Sequence, residues 1–226
     1  MYFKTILLDL DGTLLDFDKS AHASMKKLLN AHGLPYDDSL YDEYEEINLG
    51  LWEEHERGFI GIDGILGERF KRFLAKEGFP GDGGEFEREY QGYMENSAET
   101  ADGAVETVDY LSRRYDLYVV SNGVTKTQLR RLELCGLDAY MKGIFISEAV
   151  GANKPLPEFF DYCFNRIPGA DRSRTLIVGD NPASDMMGGY NAGIKTCWVN
   201  RDGRENSLLV PIDHVITDIR QLADFL

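Results

Sequence analysis

The chain has 226 residues, 43% hydrophobic and 28% charged, which is enough for a packed core without disulfide staples. This composition excludes a disordered, collagen-like or disulfide-dense chain, and no apolar run approaches the ~18 residues of a membrane-spanning helix. The 39 acidic residues against 24 basic ones give a formal charge of -15, which argues against a nucleic-acid polymer as partner.

Residues 3–8, FKTILL, form an apolar, β-rich run followed by acidic residues and Gly12. This predicts a buried strand ending in a polar loop. The opening MYFKTILLDLDGTLLD does not read as a signal peptide, because its apolar run is short and carries Asp9 and Asp11. The texture then turns helical. Helices are expected over 19–32, 38–57, 61–77 and 84–97, broken at AHGLPYDDS, RGFIG and EGFPGDGG. Ser39 with Asp42 three residues on gives a capping-box signal for the second helix. Between Asp16 and Thr100 there are 20 Asp and Glu against 9 Lys and Arg, most of them read as solvated helical faces.

Beyond residue 100 the texture alternates. Helices are expected over 104–114, 125–136, 157–167, 183–193 and 219–226, with strands over 116–122, 143–148, 174–180, 195–200 and 214–218. Strands separated by single helices imply βαβ crossovers and a parallel sheet covered on both faces. The expected fold is therefore α/β: a Rossmann-like three-layer core from residues 1–16 and 99–226, with an all-helical insertion at 17–98. Cys135, Cys163 and Cys197 are odd in number and far apart, which argues against a zinc site or disulfides. They are expected to be small buried hydrophobes in a reducing, cytoplasmic setting. The four histidines show no paired metal-ligand spacing. Gly188, Gly189 and Gly193 read as helix–sheet packing and a helix stop, and no phosphate-binding GxxxxGK[ST] loop exists.

Chemistry-bearing residues fall just past predicted strand ends: Asp9 and Asp11, Ser121 and Asn122, Lys154, and Asp180 with Asp185. In open parallel sheets the binding crevice lies at the carboxyl ends of the strands. Carboxylates so concentrated raise one another's pKa. A divalent cation resolves the repulsion, and oxygen-only ligands suit Mg²⁺. The metal would clamp a phosphate oxygen while one Asp attacks phosphorus and the second carboxylate serves as acid and base. Ser and Lys would bind the remaining phosphate oxygens.

DLDGTLLD (9–16), VVSNG (119–123), NKP (153–155) and GDNPASD (179–185) resemble, in order, the four motifs of the haloacid dehalogenase superfamily of phosphatases. The resemblance implies Asp9 as nucleophile and Asp11 as acid/base. It implies phosphate binding by Ser121, Asn122 and Lys154, and Mg²⁺ held by Asp9, Asp180 and the Asp11 carbonyl. Asp185 would support the metal or orient Lys154. Thr13 would bind through its hydroxyl or cap the loop. The insertion would be that family's cap. Segments 43–58, 121–132 and 188–200 are further similar to bacterial pyrimidine 5′-nucleotidases. That implies a small phosphomonoester substrate, no membrane and no polymer partner. Asn48, Trp52 and Glu53 are cap candidates for substrate contact. GDNPASD departs from the usual pattern at Asn181 and Pro182, which leaves the shape of that loop open. Alternatives are another small phosphomonoester, such as a sugar phosphate or phosphoglycolate, and a catalytically silent binding module.

Overall fold

The computed structural model describes residues 3–226; residues 1 and 2 of the expected core segment lie outside the described residues. Six strands form one parallel sheet: β1 (Thr5–Leu8), β2 (Asp116–Ser121), β3 (Gly143–Ile146), β4 (Thr175–Gly179), β5 (Lys195–Val199) and β6 (His214–Ile216). Their order is β3-β2-β1-β4-β5-β6. The sequence TILL of β1 is buried throughout, as befits a central strand between two helical layers. Leu8 stands opposite Val119 on one side and Val178 on the other. The chain builds outward from β1 to β2 and β3, then returns to the far side of β1 for β4. The carboxyl ends of β1 and β4 thus flank the point where the winding reverses.

Helices α1 (Phe17–Ala31), α2 (Asp38–Glu56), α3 (Ile62–Glu77) and α4 (Gly83–Glu95) follow the first strand. The later helices are α5 (Ala104–Ser112), α6 (Thr125–Cys135), α7 (Ser147–Val150), α8 (Pro157–Phe164) and α9 (Met187–Ala192). Ile6, Leu8, Val119, Val178 and Val199 cluster with Val108, Leu111 and Leu132 of α5 and α6. Leu7, Val120 and Ile177 cluster with Phe159, Phe160 and Cys163 of α8 on the other face. These are the two faces of a three-layer core.

Local departures from the expected elements have local causes. The cap of α2 is Asp37, whose carboxylate accepts from the Leu40 N–H at 2.9 Å, and Ser39 lies inside the helix. The strand expected to reach residue 148 stops at Ile146, because Ser147 opens the single turn α7. The helix expected from 183 begins as a π-helical turn, Pro182–Met186. The closing segment Ile219–Asp224 is a 3₁₀ helix, begun by a capping box between Asp218 and Gln221. Cys163 and Cys197 are buried as expected, but Cys135 is only half-buried; all three are free thiols. A Cβ on Gly188 would meet the Phe160 ring and one on Gly189 would meet Ile177 and Thr196, so both permit close helix packing. Among the described residues no helix is long and apolar enough to cross a membrane.

The chain divides into two compact units, one of Asp18–Ala98 and the other of the described residues through Phe17 with Glu99–Leu226. The helical unit has an aromatic core of Tyr44, Phe70, Phe73, Phe86 and Tyr90, with the Tyr44 and Phe70 rings 5.0 Å apart. An ion pair lies inside it. Arg69 donates to both Glu87 oxygens at 2.6 and 2.7 Å and to Asn48 Oδ1 at 3.1 Å. Its guanidinium also lies 5.1 Å from the Tyr90 ring centroid. Arg69 and Glu87 are exceptions to the solvated-face reading of this acidic segment. Asn48 is buried beside Arg69, Trp52 is half-buried against His55, and Glu53 is exposed and pairs with Arg57.

Removing one partner of a buried pair leaves the other uncompensated and costs about 3–5 kcal/mol. Glu87→Leu should therefore lower unfolding free energy by about that amount in urea titrations, while the double variant Arg69→Met/Glu87→Leu should recover most of it. A loss below ~1 kcal/mol in the single variant would show that the pair is not what orders this core.

Candidate active site

Sheet pairing continues one residue past β1, where the Asp9 N–H donates to Val178 O at 2.9 Å. The Asp9 side chain is buried at the switch point. The chain then turns tightly, with Leu14 and Leu15 N–H groups both donating to Leu10 O. Gly12 has φ 74°, and a Cβ there would stand 2.5 Å from an Asp180 carboxylate oxygen. Glycine is thus required both by the turn and by the approach of Asp180.

Asp180 follows β4. Its carbonyl accepts from the Trp198 indole at 2.9 Å and from Arg204 at 2.8 Å, which secures the loop. Asn181 caps the turn that follows, accepting from the Ala183 and Ser184 N–H groups at 2.8 and 3.2 Å. The unusual Asn-Pro pair therefore starts the π-helical turn and delivers Asp185 inward. The Asn181 N–H donates to Asp185 Oδ2 at 3.2 Å. A Cβ on Gly179 would lie 2.2 Å from that same oxygen, so only glycine leaves space for the Asp185 carboxylate.

Lys154 joins these elements. Its ammonium, only 1% exposed, donates to Asp9 Oδ1 and Asp185 Oδ1 at 2.6 Å each and to Val120 O at 3.0 Å. Those three bonds use the full donor capacity of an ammonium. Asn122 holds the Lys154 backbone from both sides, accepting from its N–H and donating to its carbonyl, each at 2.9 Å. These bonds use one Nδ2 proton and Oδ1 of Asn122. Ser121 Oγ accepts from the Gly123 N–H at 3.1 Å and Gln128 Nε2 at 2.9 Å. Neither bond uses the hydroxyl proton. Thr13 Oγ1 lies 3.5 Å from Asp180 Oδ1, at the long limit for a hydrogen bond.

Electrostatics follow from burial. Desolvation raises the Asp9 carboxyl well above its ordinary range; Lys154 opposes this, while Asp185 and Asp180 add to it. Desolvation and then the Asp185 charge push Asp180 up to about 7. Burial alone would lower Lys154, but Asp185 and Asp9 outweigh it and hold the ammonium above its ordinary value. Two of the three carboxylates, Asp9 and Asp185, bond the buried ammonium, while Asp180 lies 3.9 Å from Arg204 Nη2. Asp9, Asp180 and Asp185 each offer an oxygen within 4.8 Å of the others, an oxygen-only donor set that fits Mg²⁺.

The Asp11 carboxylate stands apart from that trio. Arg131 Nη1 donates to its Oδ1 and Gln128 Nε2 to its Oδ2, each at 2.5 Å. Neither residue stands out in the sequence. The available signal was their i, i+3 spacing at the start of the helix that follows SNG. Arg201 is a further residue that sequence reasoning missed; it donates to the Gly12 and Thr13 carbonyls and braces the turn after β1.

A family model of haloacid dehalogenase-like hydrolases matches residues 3–193. The HAD-hydrolase YfnB of Bacillus subtilis is 37% identical over 204 residues, covering 90% of this chain and 87% of YfnB. A crystal structure of YfnB bound to magnesium superposes with TM-score 0.95 at 35% identity, covering 100% of this chain and 99% of that one. The pyrimidine 5′-nucleotidase PynA of Streptococcus pneumoniae is 34% identical, covering 100% of this chain and 96% of PynA. The pyrimidine 5′-nucleotidase YjjG of Escherichia coli is 28% identical, covering 100% and 99%. With a family model spanning most of its length and whole-chain relatives above 30% identity, this protein belongs to the haloacid dehalogenase-like hydrolases.

Proposed function

We propose that this hydrolase is a Mg²⁺-dependent phosphatase of pyrimidine nucleoside 5′-monophosphates, working through a phosphoryl group on Asp9. The observation that carries the reading is the convergence of Asp9, Asp180 and Asp185 at the switch point of the sheet, with Asp9 and Asp185 bonded to Lys154. The similarity to PynA and YjjG, each spanning this whole chain, supports the nucleotide class. The magnesium in the YfnB crystal supports the metal.

Asp9 and Asp180 would hold the cation, together with the Asp11 carbonyl. Asp185 has one oxygen on Lys154 and the other on the Asn181 N–H, which suits a supporting role. Bound Mg²⁺ supplies positive charge that makes a phosphate dianion tolerable beside these carboxylates. Asp9 attacks phosphorus as the ester P–O bond breaks. Asp11 gives its proton to the leaving ribose 5′-oxygen, then takes one from the water that hydrolyses the phosphoaspartate. The Ser121 hydroxyl proton, used by neither of the bonds that its oxygen accepts, is available to the phosphate oxygens. Lys154 reaches phosphate by sharing one of the donors it now directs at Asp9, Asp185 and Val120. The helical unit serves as the cap that selects the substrate. Three free thiols suit a cytoplasmic setting.

Phosphate release from dUMP, dTMP and UMP should require Mg²⁺ and stop on chelation. Asp9→Asn should lower turnover by about 10³-fold or more. Metal-independent release, or equal turnover of sugar phosphates and nucleotides, would count against the proposal. Mg²⁺ at about 100 times its Kd should add ~2.7 kcal/mol to stability, read as a rise in Tm. Asp180→Asn should abolish that rise; a rise unchanged by the substitution would place the metal elsewhere.

A further inference from the structure

We propose that Arg131 and Gln128 are positioning residues that fix the Asp11 carboxylate for proton transfer to the leaving group. The inference rests on the phosphatase reading above and goes beyond it. Arg131 heads the fully buried side chains by volume, with its side chain 1% exposed. A guanidinium is buried only at substantial cost unless it is paired and hydrogen-bonded. Its Nη1 bridges Asp11 Oδ1 at 2.5 Å and Gln128 Oε1 at 3.1 Å. Gln128 Nε2 in turn bridges Asp11 Oδ2 at 2.5 Å and Ser121 Oγ at 2.9 Å.

Chemistry permits only this orientation of the Gln128 amide, because Arg can only donate and a carboxylate can only accept. Each Asp11 oxygen is therefore held by a separate donor from α6. A general acid must lie within hydrogen-bond reach of the oxygen it protonates. Asp11 sits on a turn with its side chain 29% exposed, so the turn alone does not restrain it. The clamp does. It also ties Asp11 to Ser121 through one amide, so the proton donor and a phosphate-facing hydroxyl move together. Gly123 leaves room for that amide: a Cβ there would stand 2.5 Å from Gln128 Nε2.

The test uses leaving-group dependence. In the first half-reaction the Asp9–phosphorus bond forms, the ester P–O bond breaks, and a proton taken up from solvent on Asp11 Oδ2 passes to the departing oxygen, while Oδ1 keeps its bond from Arg131. A nucleoside monophosphate expels an alkoxide that needs this proton; 4-nitrophenyl phosphate expels a stabilised phenolate that does not. The value of kcat/KM reports this half-reaction. With Mg²⁺ present, Arg131→Met should lower kcat/KM on the best nucleotide at least ~10-fold more than on 4-nitrophenyl phosphate. Gln128→Met, which removes no charge and keeps the volume, should shift the ratio the same way by less. Arg131→Lys should restore part of the loss, since an ammonium keeps the charge but not the fork. Equal losses on both substrates would reduce the pair to a structural role and overturn the inference, as would a gain on the nucleotide. If Arg131→Met does not fold, Gln128→Met carries the test. A parent enzyme that turns over neither substrate overturns the phosphatase reading itself.

Discussion

One buried ammonium governs the site. Lys154 draws Asp9 and Asp185 to 2.6 Å from the same nitrogen at the end of the central strands. Without it, three carboxylates would face one another in a desolvated edge, and like charges there cannot all stay ionised. With it, negative charge still exceeds positive, and that excess suits a dication. The ammonium is bonded on three sides by the protein itself. It is part of the framework that makes the acidic cluster possible.

That framework imposes close-packing demands on its neighbours. Gly179 has no side chain because the Asp185 carboxylate occupies the space. Asn122 bonds the Lys154 backbone from both sides, and the Trp198 indole bonds the Asp180 carbonyl. Supporting contacts of this kind decide whether functional atoms stand within tenths of an ångström of a working position. The same logic extends to Asp11, whose two oxygens are met by two donors from one helix.

The helical unit is built on a different balance. Its interior is aromatic, yet it encloses the Arg69–Glu87 pair, bidentate and nearly sealed from solvent. A hydrophobic replacement of similar volume would serve stability equally well. What the pair adds is a fixed geometry between α3 and α4, because two parallel hydrogen bonds tolerate little sliding. Asn48, a candidate for substrate contact from sequence, is buried and accepts the third hydrogen bond of this guanidinium.

Periodicity and punctuation in the sequence determined the alternation of strands and helices, the helical insertion and the motifs at strand ends, because these depend on neighbours within one turn or one strand. The elements so read place Asp9, Lys154 and Asp180 at one sheet edge. Tertiary structure alone decided which side of a helix faces inward. Arg130 and Arg131 are adjacent, yet Arg130 is exposed and pairs with Glu133, while Arg131 is buried on Asp11. The two differ by the rotation of one residue on a helix. It also decided the partners of Gln128, Asn122 and Asn48. Hydrogen bonds between residues 21 to 120 positions apart leave no periodic trace in the chain.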